Sequence, residues 1–233
     1  MLFRQLIDLE TSSYTYLLSA GPRREAVLID PVKSQLQTYL TLLRELELTL
    51  VKTLDTHTHA DHITALGDLR DATGAASVMG EQSRASCVSE RVADGQTVEV
   101  DELVLRALST PGHTNESYSF LLERGGPPMV FTGDVLLIRG SGRTDFQGGD
   151  PHASYRSIVH RLFTLPEQTL VYPAHDYKGW TASSIGEEKR HNPRLAGKSE
   201  AEYVAIMQAL NLPDPKQIDV AVPANLACGQ PAA

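Results

Sequence analysis

Residues 53–62, TLDTHTHADH, crowd three histidines and two aspartates directly behind the apolar lead-in LTLVK. Backbone at a strand end can point several side chains of these types into one space, where distant segments deliver partners. His57 and His59 share a face of an extended chain, while Asp61 and His62 turn back toward them as a helix begins. Eight histidines occur in all, and two more, His113 in STPGHT and His175 in YPAHDY, lie in loops just beyond strand-like runs. Asp134, in FTGDVL, follows an apolar strand that buries it. A buried carboxylate needs a partner, and a cation is the obvious one. His152, His160 and His191 read as surface or helix residues. A solvated polar loop accounts poorly for four separate signals of this kind.

The rest of the chain supplies strands for such an edge. FRQLIDL, YTYLLSA and EAVLIDP read as strands, the last two divided by the turn GPRR. Leu36, Leu40, Leu43 and Leu46 recur at helical spacing in SQLQTYLTLLRELEL. LVKTLDT feeds the histidines; Asp61 is then expected to cap a helix from about His62 to Asp71, ended by Gly74. ASVMG is a short strand, and QTVEVDELVLRALSTPGH predicts a hairpin that delivers His113 to a loop. SYSFLLE and PMVFTGDVL pair around RGGPP, HASYRSIVHRLFTL is a helix, and TLVYPAHDY a strand. Helical segments near 182–191 and 199–210 close the chain, and its Ala- and Pro-containing end reads as frayed. Mostly β elements with interspersed helices imply two packed sheets with helices outside, an α+β arrangement. No linker or repeat divides the 233 residues, so 1–233 reads as one domain, with C-terminal helices and a tail from about 182.

A formal net charge of −8 argues against nucleic acid as the main partner, because phosphate binding needs clustered Lys and Arg. No apolar run approaches the roughly 20 residues of a membrane span. The opening MLFRQLIDLE contains acids and leads straight into strand-like sequence, unlike a signal or transit peptide. Cys87 and Cys228 lie far apart without a CxxC partner. They read as two unreactive thiols rather than a disulfide, which makes a reducing cytoplasm the expected location.

THTHADH, STPGHT, FTGDVL and YPAHDY, in this order, resemble the metal-ligand motifs of the metallo-β-lactamase superfamily. The resemblance implies an αββα sandwich of two mixed β-sheets flanked by helices, with metal at one edge of the sheets. Every position that superfamily uses for two metals is filled: His57, His59 and His113 for one ion, Asp61, His62 and His175 for the other, and Asp134 as the bridge. Such a pair activates a bridging hydroxide, as in glyoxalase II, a dinuclear zinc glutathione thioester hydrolase, which stands as the alternative reading. IRGSGRTDFQGGD, YPAHDYKGW, EEKRHNPRL and LNLPDPKQIDVAVPANLACG are closely similar to the persulfide dioxygenases of sulfide oxidation. The tail also differs from the helical C-terminal region that glyoxalase II usually carries.

The dioxygenase resemblance implies one Fe(II) per chain, held by His57, His113 and Asp134. Two histidines and a carboxylate leave three adjacent positions open, the usual arrangement for non-haem iron oxygenases, and redox-inert zinc cannot serve that chemistry. The implied partners are glutathione persulfide and O2, with water, giving glutathione and sulfite. His59, Asp61, His62 and His175 would then orient ligands, bond waters or handle protons. Glutathione carries two carboxylates, so Arg143 in GSGRTDF is the first candidate substrate contact, with Gly140 and Gly142 letting backbone approach closely. An Arg143–Asp145 surface pair is the competing reading. GSGRTD lacks the third glycine of a dinucleotide fingerprint. Tyr177 is placed to give its hydroxyl to substrate in catalysis, or else packs beneath the site, and Arg194 in NPRL is a weaker substrate candidate. Relatives often have Cys where this chain has Ser141. A homodimer is compatible with all of this.

Overall fold

In the computed structural model, which describes residues 1–213, 215 and 217–230, strands pair into two six-stranded sheets. The first holds β1 (Leu2–Asp8), β2 (Ser13–Ser19), β3 (Glu25–Ile29), β4 (Thr49–Leu54), β5 (Ala76–Gly80) and β6 (Glu90–Val92), side by side in chain order. β1, β2 and β3 are antiparallel, whereas β3 to β6 run parallel. Parallel neighbours need crossovers, and α1 (Leu36–Glu45) and α2 (Leu66–Thr73) supply the β3–β4 and β4–β5 connections. The second sheet is built from β7 (Thr97–Val100), β8 (Leu103–Ser109), β9 (Tyr118–Arg124), β10 (Met129–Gly133), β11 (Leu170–Pro173) and β12 (Ser183–Ser184). β10 and β11 are parallel, joined through α3 (Pro151–Val159). Then follow α4 (Ile185–His191), α5 (Glu200–Gln208) and α6 (Ile218–Leu226).

Period-two alternation decides the layers. In β2, Tyr14, Tyr16 and Leu18 point between the sheets and Leu17 points outward to the α1 side. In β9, Phe120 and Leu122 face the intersheet core, while Leu121 joins Tyr155 and Ile158 of α3 and Tyr203 of α5. Each such side chain, fully buried, contributes about 1.5–3 kcal/mol. The layers therefore run helix, sheet, sheet, helix, the αββα sandwich expected. At one edge the two sheets are stitched together: Tyr14 N–H donates to Ala174 C=O at 2.7 Å, and Tyr118 N–H to Thr56 C=O at 2.8 Å. Those bonds bring the ends of β2, β4, β9 and β11 to one place.

Three expectations need correction. α2 starts at Leu66 after Ala65 rather than near His62, and Asp61 does not cap it; its carboxylate faces the rings of His62 and His175 instead. Gly74 does end that helix, with φ 76°. α6 was not anticipated, because Pro223 lies inside it and an interior proline argues against a helix. Finally, Cys87 and Cys228 form a disulfide, with Cα atoms 5.9 Å apart across 141 residues of sequence. α6 returns beside the loop after β5 and packs Cys228 against Leu66, Met79 and Ala85. With the bond goes the cysteine-based reason for a reducing compartment.

Cys87→Ser is expected to lower stability by about 2–4 kcal/mol, since the bond closes a long loop. The check is the urea midpoint, which reductant should lower in the parent protein and leave unchanged in the variant. Among the described residues no helix is long and apolar enough to cross a membrane. The frayed end expected from sequence falls on residues 231–233, outside those described.

Candidate metal centre

β4 stops at Leu54, and residues 55–63 carry no regular secondary structure. Backbone groups there still need partners when buried, and side chains from elsewhere supply them. Asp30, at the end of β3, accepts from Thr56 N–H at 2.7 Å and from Thr56 Oγ1 at 3.0 Å. Glu116 accepts from Thr58 N–H at 2.7 Å, and Gln147 donates to Thr58 C=O at 2.7 Å. Asn225 of α6 donates to the carbonyls of His59 and His62, both at 2.8 Å, and accepts from Thr64 N–H at 2.9 Å. None of these four was foreseen. Asp30 carried one legible signal, a carboxylate at a strand end before proline. It sits at φ +52°, a conformation rare outside glycine that persists only where its surroundings hold it.

Within this frame His57, His113 and Asp134 each offer a ligand atom, all within 4.8 Å of one another. Both imidazoles are pre-oriented. His113 donates its Nδ1–H to Arg143 C=O at 2.7 Å, which leaves Nε2 as the lone pair, 3.7 Å from Asp134 Oδ2. Thr56 spends its hydroxyl proton on Asp30, so His57 Nδ1–H donates to Thr56 Oγ1 at 3.0 Å and Nε2 is left for a ligand. Hydrogen bonding of the far nitrogen is how proteins fix the tautomer of a metal-binding histidine. Burial pushes the Asp134 carboxyl up, but the imidazoles of His175, His113 and His57 outweigh it and hold it well below the usual carboxylate range. Burial, then His59 and His113, push His57 well below the ordinary histidine value, toward the neutral form that binds metal.

His59, Asp61 and His62 make a second group of the same compactness, and Asp30, Asp55 and His59 a third. Their atoms are partly committed to each other. His175 donates from Nδ1 to Asp134 Oδ1 at 2.7 Å and from Nε2 to Asp61 Oδ2 at 2.8 Å. Burial opposes charge on this ring, but the two carboxylates raise it well above the ordinary histidine value. Ser13, another residue not foreseen, places Oγ 2.9 Å from His175 Nε2 and 3.2 Å from both Asp61 Oδ2 and His62 Nδ1. His59 Nδ1 and His62 Nε2 remain buried without a partner, and such atoms invite a cation or a water. Asp55, counted in the motif but given no role, is pushed well above the usual carboxylate value by burial and then by Asp30.

The cluster thus gathers His57, His59, Asp61, His62, His113, Asp134 and His175. The candidate substrate residues are placed differently. Arg143 forms a fork with Asp145, at 2.7 and 2.8 Å, and its guanidinium lies 4.1 Å above the Phe146 ring. Its backbone carbonyl is what holds His113. Tyr177 is 72% exposed and stacks on His175 with ring planes 9° apart, at the mouth rather than beneath the site. Arg194 donates to Ser141 C=O, and Ser141 itself is buried against the Tyr203 hydroxyl at 2.9 Å. His152 pairs with Glu200, away from the cluster.

An αββα sandwich with histidines and carboxylates gathered at one sheet edge defines a metal-dependent protein of the metallo-β-lactamase class, and the family description "Metallo-beta-lactamase superfamily" matches residues 9–175. The chain is 46% identical over 230 residues, 98% of its own length and 89% of the relative's, to the mitochondrial persulfide dioxygenase ETHE1 of Homo sapiens. It superimposes with a TM-score of 0.95 on the crystal structure of ETHE1 from Myxococcus xanthus, at 56% identity, covering 99% of this chain and 100% of that one. The chain belongs to the persulfide dioxygenase family of that superfamily. A more distant solved structure, TTHA1623 in a di-iron-bound form, shares 25% identity with a TM-score of 0.69, covering 82% of this chain and 100% of that one.

Proposed function

We propose that the chain is a mononuclear non-haem Fe(II) persulfide dioxygenase, converting glutathione persulfide, O2 and water to glutathione and sulfite. One observation carries the single-ion reading beyond family membership. His175, which a second ion needs, has both ring nitrogens hydrogen-bonded to carboxylates, and Asp61 Oδ2 is shared between His175 and His62. The trio His57, His113 and Asp134 fits an ion because each imidazole is bonded through Nδ1 and keeps Nε2, while Asp134 meets His175 through Oδ1 and keeps Oδ2.

The chemistry iron supplies when bound is electron donation to dioxygen beside a soft sulfur ligand. The protein's part is positional. His113, locked through Arg143 C=O, and His57, locked through Thr56, keep their Nε2 atoms aimed at one point. His175 holds Asp134 by one oxygen, leaving Oδ2 turned toward His113. Tyr177, exposed and stacked on His175, is the candidate hydroxyl donor to an entering persulfide, and Arg143, bonded to Asp145 and to the Pro213 carbonyl, meets a glutathione carboxylate by exchanging such a partner for it. Arg194 acts through the Ser141 backbone rather than on substrate. α4 and α5 pack on the second sheet and α6 on the histidine loop, which supports 1–233 working as one domain.

The alternative, a dizinc thioester hydrolase, draws on His59 Nδ1 and His62 Nε2, both buried and unpartnered. Metal analysis separates the readings: one iron per chain is expected, against two zinc ions. In an oxygen electrode, iron-loaded protein given glutathione persulfide should consume O2 and release sulfite. Thioester cleavage without oxygen uptake would sink the proposal.

A further inference from the structure

The C-terminal stretch AVPANLACG has so far no place in the chemistry, yet it lies against the metal loop. Asn225 is 3% exposed and spends its whole amide there, two N–H donors on the carbonyls of His59 and His62 and its oxygen on Thr64 N–H. Three bonds from one side chain span the six residues 59–64, whose far end also pairs with the segment after β3 through a Thr64–Val32 bridge and the Lys33 N–H to Ile63 C=O bond at 2.8 Å. Beyond α6 the contact continues. Cys228 C=O accepts from Gly67 N–H at 2.9 Å, and Lys33 Nζ donates to Gly229 C=O at 2.6 Å. Gly229 lies at φ +77°, and a Cβ there would stand 1.9 Å from Thr64 O, so backbone meets backbone. The Cys87–Cys228 bond then ties this segment to the loop after β5. Cys87 is only partly buried, so a reagent can reach it, whereas Cys228 is enclosed.

We propose that Asn225 is a positioning residue of the metal centre and that the Cys87–Cys228 disulfide keeps it in place, so that metal retention depends on the redox state of that bond. Asn225 touches no reacting atom; it acts by fixing residues 59–64, the continuation of the loop that carries His57. Reduction breaks the S–S bond, forms two thiols, and takes two electrons and two protons from a thiol reductant that leaves as its own disulfide. Freed at that point, the end of α6 loses the covalent constraint that presses Asn225 onto the loop. The inference uses the metal site of the function proposed above but not the identity of the oxidised substrate.

The experiment is iron release from anaerobically loaded full-length protein to the chelator ferrozine. Asn225→Ala should release iron about 10-fold faster than the parent, the scale on which residues that orient ligands act. Asn225→Asp keeps the shape and the acceptor for Thr64 but neither donor, so it should release nearly as fast, and it carries the test if the alanine variant fails to fold. The visible spectrum of the Co(II)-substituted protein should shift in both, which packing loss remote from the metal does not produce. Cys87→Ser, and the parent after reduction, should release iron a few-fold faster than the oxidised parent. In the Asn225→Ala background Cys87→Ser should add nothing, because the tether acts through a residue already gone. Release from both Asn225 variants at the parent rate overturns the positioning role. A full additional effect of Cys87→Ser on top of Asn225→Ala overturns the link between bond and brace. Ferrozine reads the metal itself, so failure to oxidise a persulfide strikes only the function proposed above.

Discussion

Asp134→Ala is expected to abolish iron binding and oxygen uptake together. The carboxylate serves two sets of partners at once. Oδ2 faces His113, and Oδ1 accepts from His175 at 2.7 Å. Removing it takes one of three ligands from the trio and leaves His175 with Asp61 as its sole carboxylate. Breaking a buried ionic pair by deleting one partner costs about 3–5 kcal/mol where no ion or water compensates, so the metal-free variant should also be less stable than the metal-free parent. Asp134→Asn separates the two effects. Its amide oxygen still accepts from His175 and preserves the shape, but it offers no charge to iron. Both variants should fall below one tenth of the parent's iron content by metal analysis, with Asn retaining more thermal stability than Ala. Full iron content in either would mean that the ion is held elsewhere, with His59, Asp61 and His62 as the next group to test.

How much of this could be read from the sequence follows from how each part is held. The sheets were legible because β2, β3, β9 and β10 alternate between two apolar environments, and that alternation is local. The seven clustered ligand-type residues were legible because four motifs end strands. The frame around them was not. Asp30, Glu116, Gln147 and Asn225 reach the loop from distances of up to 166 positions along the chain, and nothing at their own positions announces the contact. Ser13 reads as an ordinary strand residue until the edge bond to the His175 segment puts its hydroxyl among three ligand atoms. The disulfide failed for the same reason: a CxxC rule sees only neighbours in sequence, and Cys87 meets Cys228 only once α6 has folded back. Asp61 was misread in the opposite direction, since an aspartate before an apolar-periodic run is a good cap in general, and here two imidazoles claimed it first.

Gly142→Ala is expected to lose roughly 100-fold in activity while Gly140→Ala, two positions away, stays within a few-fold of the parent. Both glycines were read from sequence as places that let backbone approach closely, and the structure distinguishes them. A Cβ on Gly142 would stand 2.2 Å from Asp134 O and 2.8 Å from His113 Nδ1, while one on Gly140 finds nothing nearer than Leu137 Cβ at 3.8 Å. Neither position has the positive φ that would add backbone strain, so the contrast is one of space alone. At 142 something must move, and the candidates are the backbone of one proposed ligand and the ring of another. Gly142 N–H also donates to Asp134 C=O at 2.7 Å, and the next residue's carbonyl orients His113. Retreat of this segment therefore turns the imidazole as well as displacing it. Overpacking of this kind costs about 1–3 kcal/mol in stability, which a folded protein of this size tolerates, whereas a displacement of about 1 Å at a reacting centre costs on the order of 100-fold in rate. Thermal melts and oxygen uptake measured side by side should show a modest loss of stability and a large loss of rate for Gly142→Ala. If the two alanine variants behaved alike, the close packing of residue 142 between Asp134 and His113 would not be what aligns the trio.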